Sequence, residues 1–139
     1  METADLTITL KESVFFNGIY RDSQVTQVIQ NVTGVDNKIL SLYSGSTVEL
    51  VRFSSSLDSI PAGVINPAKL AYFRATNLDT GSVYLNVAGD VSGSATFKLD
   101  QNDCFILNST VFSSSIENVQ SIKATSSQTN SIEYFIATT

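Results

Sequence analysis

Aspartates near turns, one thiol and a set of tyrosines are the side chains of this sequence whose types and spacing invite a chemical reading. Asp79 with Asp90, and Asp100 with Asp103, are the pairs that could divide general acid and base duties between two carboxylates, the apparatus of glycoside hydrolysis. Each stands beside Asn, Gly or Ser, where an aspartate ordinarily accepts hydrogen bonds from local amides and shapes a turn. Asp100, Asn102 and Asp103 also offer oxygen ligands to calcium, but their spacing is not that of an EF-hand and no bidentate glutamate follows. There is no histidine, which removes the Ser-His-Asp triad and the commonest metal ligand. Cys104 is the single cysteine; it has no internal disulfide partner and no imidazole base, and it reads as a buried thiol at a strand edge. Gly34, Gly45, Gly81, Gly89 and Gly93 are isolated turn glycines, not a phosphate-binding loop. The sequence therefore predicts no catalytic residue, no metal ligand and no cofactor, and a protein that is not an enzyme.

The elements that must position these residues are strands. No apolar pattern of helical period is sustained over twelve residues, whereas period-two alternation recurs throughout. Leu6–Lys11 places Leu6, Ile8 and Leu10 on one face, and Val14–Phe16 continues it. Further runs are Val25–Val32, Lys38–Tyr43, with Ile39 or Leu40 inward, and Thr47–Phe53. Leu70–Val87 has alternation on both sides of Asn77-Leu78-Asp79-Thr80-Gly81 and predicts a β-hairpin with one buried face. Thr96–Leu99, the turn Asp100–Asp103 and Cys104–Leu107 follow. Ile116 and Val119 suggest a short helical turn, and Ser121–Ser126 with Ile132–Ala137 predict a closing hairpin around Ser127–Asn130. Ser54–Pro67, with Pro61, Gly63 and Pro67, is the longest irregular stretch and predicts a connection between sheets or a functional loop. Eight to ten short strands with frequent turn signals predict one all-β domain over residues 1–139, an antiparallel β-sandwich of jelly-roll-like form. Residues 1–12 are expected to form an extended or strand-exchanging arm.

Composition narrows the function further. A chain of 139 residues buries roughly 70% of its unfolded surface, enough for a core without disulfides or a structural metal. Charged residues make up 15%, against about 25% in an ordinary domain, and Ser, Thr and Asn take their place. That surface suits strand pairing and protein–protein contact. The net charge is −5 and the eight Lys and Arg residues are scattered, so there is no basic patch for nucleic acid. No apolar run is long enough for a membrane span. METADLTITL has neither the basic segment nor the apolar stretch of a secretory leader, which with the lone cysteine predicts synthesis in a reducing cytoplasm. The sequons Asn31-Val32-Thr33 and Asn108-Ser109-Thr110 are those expected by chance in so Ser/Thr/Asn-rich a chain. Tyr72 and Tyr84 fall on the outer faces of what read as neighbouring strands, an arrangement that fits plain packing, a subunit interface or a sugar platform.

Three segments, AYFRATNLDTGSVYLNV (Ala71–Val87), FKLDQNDCFIL (Phe97–Leu107) and SIEYFIATT (Ser131–Thr139), resemble the small all-β virion structural proteins of tailed bacteriophages, cyanophages especially. The likeness covers Leu70 to Thr139, and departs at Asp100-Gln101-Asn102-Asp103, where a glycine is expected. The resemblance implies a non-enzymatic virion component working as a homo-oligomer, often a trimer. Its expected role is capsid decoration (cement) against the major capsid protein. A tail adaptor or fibre-base protein bound to tail proteins, and a carbohydrate-binding or host-receptor adhesin using Ser54–Pro67 and the outer tyrosines, stand as alternatives.

Overall fold

The structure, a computed structural model, describes residues 2–53, 64–65, 70–89, 94–108 and 119–139. They form an all-β molecule. Its strands are β1 (Ala4–Glu12), β2 (Phe15–Phe16), β3 (Ile19–Tyr20), β4 (Ser23–Val32), β5 (Gly34–Leu42), β6 (Thr47–Phe53), β7 (Val64–Ile65), β8 (Leu70–Asn77), β9 (Val83–Gly89), β10 (Ser94–Leu99), β11 (Cys104–Asn108), β12 (Val119–Ser126) and β13 (Asn130–Thr138). One sheet has the order β11-β8-β13-β5 and the other β10-β9-β12-β6-β7. Pairing is antiparallel except for the short parallel contact of β6 with β7. A separate two-stranded ribbon is formed by β1 with β4, tipped by β2 with β3.

The two larger sheets share one apolar core. Leu42, Phe73, Ala75, Leu107, Ile132, Tyr134 and Ile136 enter it from the first sheet, and Leu50, Val51, Phe53, Val83, Leu85, Leu99, Ile122 and Ala124 from the second. Alternation places these side chains inward, as strand geometry requires. Leu50 and Val51 are both buried although adjacent. The register explains it: Ile122 opposes Val51 but Lys123 opposes Glu49, so Leu50 is the extra residue of a bulge that turns both toward the core.

Two hairpins expected from the sequence are connections between sheets. β8 pairs with β11 and β13, whereas β9 pairs with β10 and β12, so the turn after Asn77 carries the chain from one sheet to the other. Similarly β12 pairs with β6 and β9, and β13 with β5 and β8. Alternation reports only that one face of each strand is buried; two strands facing each other across a core satisfy it as well as two strands side by side. Among the described residues, β9–β10 is a sequential hairpin of the larger sheets.

Other boundaries move less. β5 starts at Gly34, four residues before the expected Lys38, and Leu40 faces inward while Ile39 is 64% exposed. Gly34 and Gly89, read as turn glycines, lie in strands. Most of Ser54–Pro67, Asp90, Gly93, the second sequon's Ser109-Thr110 and the helical turn expected at Ile116 lie outside the described residues; Val119 opens β12.

Candidate interaction surface

Of the aspartates singled out in the sequence, Asp79, Asp100 and Asp103 occupy turns and bond locally, and Asp90 lies outside the described residues. Asp79 accepts a hydrogen bond from Thr80 N at 2.9 Å, and Asp103 from Asp100 N at 3.0 Å. Asp100 accepts from the Ser82 hydroxyl at 2.7 Å and pairs with Lys98 at 3.3 Å, and these contacts hold its carboxyl below the ordinary carboxylate range. In the turn Asp100–Asp103, where the resemblance implies a glycine, Asn102 takes φ = +66°, a left-handed conformation that asparagine tolerates. No group of three His, Cys, Asp or Glu side chains with metal-holding geometry occurs among the described residues.

Behind these turns lies a buried polar lattice. Asn77 donates to the carbonyls of Gly81 (2.6 Å) and Leu99 (2.9 Å) and accepts from Asp79 N (3.0 Å). Asn130 accepts from Gly81 N (3.2 Å) and donates to the Ser126 hydroxyl (3.0 Å), which in turn donates to the Ser82 carbonyl (3.0 Å). Three connections, β8–β9, β10–β11 and β12–β13, are thereby tied together at one end of the molecule. Gly81 is needed here because a Cβ would fall 2.6 Å from Asn130 Nδ2 and overlap Gln128. This end is structural glue.

The outer face of the β11-β8-β13-β5 sheet is different. Cross-strand register sets Cys104 beside Thr76 and Thr76 beside Glu133, with Arg74 beside Phe135 and Tyr72 beside Ala137. Arg74 donates to Glu133 at 2.7 Å and to the Thr76 hydroxyl, and the Thr76 hydroxyl lies 3.2 Å from Cys104 Sγ. Burial pulls the guanidinium pKa down, but the hydrogen bond and charge of Glu133 outweigh it and hold it above its ordinary value. Cys104 is exposed, not buried: it opens edge strand β11, which has a neighbour on one side alone, and it faces away from the core.

Tyr72 and Tyr84 do not meet, because they belong to different sheets. Tyr72 is 6% exposed, covered by the base of the ribbon, where Leu6, Ile8, Ile29 and Val32 pack with Tyr72, Phe135 and Ala137. Ile29 and Val32 are three residues apart and cannot share a face of a regular strand. Asn31, at φ = +61°, solves this: Leu6 opposes Ile29 and Ala4 opposes Val32, so β4 carries one extra residue and both side chains point to the sheet.

Beyond that seat the ribbon leaves the sheet, and every residue from Thr9 to Val28 is exposed. Leu10 and Val25 oppose one another on the face that carries Leu6 and Ile29, and are 55% and 61% exposed. The opposite face is polar except for Val28, with Thr9 and Thr26 hydroxyls 3.4 Å apart. Ser13 and Asp22 (2.9 Å) and the Arg21 N to Val14 carbonyl bond (2.7 Å) hold the two halves of the ribbon together below its tip. The tip turns through Asn17 (φ +54°) and Gly18 (φ +76°), a two-residue turn whose positive φ values match the twist of a hairpin. It pairs Phe15 with Tyr20, rings 4.8 Å apart, on one face and Phe16 with Ile19 on the other. These four side chains are 56–74% exposed. The return strand Ile19–Tyr20 was not read from the sequence; the Asn17-Gly18 dipeptide between apolar residues is the signal that marks it.

Two further surfaces complete the picture. On β5 the outward residues Val35 and Ile39, and Tyr43 just beyond the strand, are 60–67% exposed. At the inner side of the same edge a cleft of about 330 Å³ is lined by Asp36, Lys38, Leu50, Val51, Tyr134 and Ile136, with the Tyr134 hydroxyl 3.3 Å from Asp36. The arrangement as a whole offers apolar and hydrogen-bonding contact. No protein-family model, curated protein or solved structure matches this chain.

Proposed function

We propose that this protein is a non-enzymatic structural component of a tailed-phage virion, acting as a capsid decoration (cement) protein that reinforces the shell through contacts with the major capsid protein and with copies of itself. The observation that carries the reading is the ribbon, which exposes Leu10, Val14, Phe15, Phe16, Ile19, Tyr20 and Val25 at 49–74%. Solubility alone disfavours such a display, and clustered exposed apolar side chains mark a site of contact with another protein or a membrane. A strand ribbon anchored at one end is suited to clamping a neighbour.

The strand order supports a jelly-roll sandwich. Taken without the ribbon and β7, the chain gives two four-stranded sheets, β5-β13-β8-β11 and β6-β12-β9-β10. Every sequential connection among these eight strands except β9–β10 passes between sheets, the double Greek-key pattern that recurs in viral capsid and lectin domains. The sparse charge and the abundance of hydroxyls and amides support a surface made for contact.

The test is location and copy number. Antibody raised against the chain should label the capsid surface of purified particles, and quantitative mass spectrometry should count copies in the hundreds. Six or twelve copies at the tail would move the protein to the adaptor reading, and absence from particles would end the virion reading. For the adhesin alternative the informative tyrosine is Tyr84, 38% exposed, since Tyr72 is covered. Sugar binding by a monomer, lost in Tyr84→Ala, would favour that alternative.

A further inference from the structure

The ribbon tip has two apolar faces, so a flat partner would cover only half of it. Phe15 and Tyr20 point one way, Phe16 and Ile19 the other. An occupant site must therefore be a corner or groove. The molecule itself displays one. Val35 is the cross-strand neighbour of Ala137, and Ala137 is fully buried beneath the ribbon base. The exposed residues Val35, Ile39 and Tyr43, with Asn37 and Ser41 between them on the same face, thus form a mixed apolar and polar floor that runs out from the wall made by the ribbon's own seat. That seat is already a contact between ribbon side chains and the outer face of this sheet, so the floor continues an interface whose chemistry the fold uses.

We propose that the tip of the ribbon, Val14–Tyr20, docks on the β5 corner of a second copy of this chain, in a head-to-tail contact. The five exposed apolar residues of the tip, Val14, Phe15, Phe16, Ile19 and Tyr20, present on the order of 500 Å² of side-chain surface, from about 150–250 Å² per aromatic and about 100 Å² per aliphatic side chain, scaled by their exposure. A standard interface takes about 800 Å² per partner, so a single tip contact falls at the small end of specific interfaces. Charge does not oppose it: between Leu10 and Val25, Lys11 and Arg21 balance Glu12 and Asp22, so the outer part of the ribbon is neutral in a chain of net charge −5. The same balance gives it no cationic rim for an anionic membrane. Because tip and corner are different surfaces, the contact is heterologous and closes into a ring when the rotation permits. The inference deepens the assembly reading by naming the surfaces through which copies meet.

The experiment uses the full chain and two variants, F16D/Y20D in the tip and I39D in the corner, each checked for an unchanged β-sheet circular dichroism spectrum. By sedimentation velocity across the micromolar range, the wild type should form a discrete closed oligomer. Each variant alone should self-associate at least about thirtyfold more weakly, the loss expected for one aromatic anchor. An equimolar mixture should form a heterodimer, the intact tip of I39D engaging the intact corner of F16D/Y20D. A monomeric wild type, a tip variant that associates normally, or a mixture without heterodimer would overturn the proposal. So would tip-dependent flotation of the wild type with phosphatidylcholine vesicles, which would assign the tip to a membrane. A monomer that still decorates particles would overturn this inference and leave the virion role standing; an oligomer absent from particles would do the reverse.

Discussion

Asn77 is fully buried yet satisfies its side-chain amide through two donated bonds and one accepted bond. Replacing it with Ala leaves the carbonyls of Gly81 and Leu99 and the Asp79 N–H short of partners. Each such group left unpaired costs about 1–3 kcal/mol, so Asn77→Ala should lower the urea midpoint markedly while leaving the ribbon intact. Two tyrosines set the alkaline behaviour. Burial raises the pKa of the Tyr72 hydroxyl above the ordinary tyrosine value, opposed by Arg74, and burial with the charge of Asp36 raises that of Tyr134, opposed by Lys38. A raised folded pKa means the contribution is complete below pH 10 and is lost as pH climbs through the folded values. Stability should therefore fall above pH 10, and Tyr72→Phe with Tyr134→Phe should flatten that decline in denaturant titrations. At this scale the sequence was partly legible: Asp79, Asp100 and Asp103, read as turn-formers, bond as such. Cys104 misled, because type and context suggest burial, whereas exposure depends on which neighbour strand lies beside it.

Elements carry the next set of errors and successes. β6 has the expected bounds, and the face Leu6-Ile8-Leu10 of β1 is the face that meets the sheet. The turns after β8 and β12 were located, but not the sheet to which each following strand belongs. That choice depends on partners distant in sequence, and a bulge at Leu50 or Asn31 alters which residues share a face without altering composition. The Asn17-Gly18 turn is purely local, and its consequence is measurable. Gly18 has open space around it but φ = +76°, so Gly18→Ala meets no clash and suffers only the left-handed backbone penalty of about 1–2 kcal/mol. Amide exchange in β1–β4 should accelerate accordingly, with exchange in β8, β12 and β13 unchanged.

The whole molecule couples two sheets through one core, with the ribbon attached by a smaller apolar cluster. Phe73→Ala, at a position with no exposed surface, should cost about 3–5 kcal/mol and shift a single cooperative transition monitored by circular dichroism. Truncating Ile8, half-buried at the ribbon seat, should instead raise proteolytic cleavage in the ribbon with little change in that transition. By itself the sequence determined that the chain is all-β, that it has no histidine chemistry, and where most strands and turns lie, since side-chain alternation and turn propensity are properties of neighbours along the chain. Tertiary structure decided which strands pair, that β8 and β12 each hand the chain to the opposite sheet, that Tyr72 is covered, and that the apolar tip of the ribbon is left in solvent. Those outcomes follow from burial of surfaces far apart in sequence, whose partners no local pattern names.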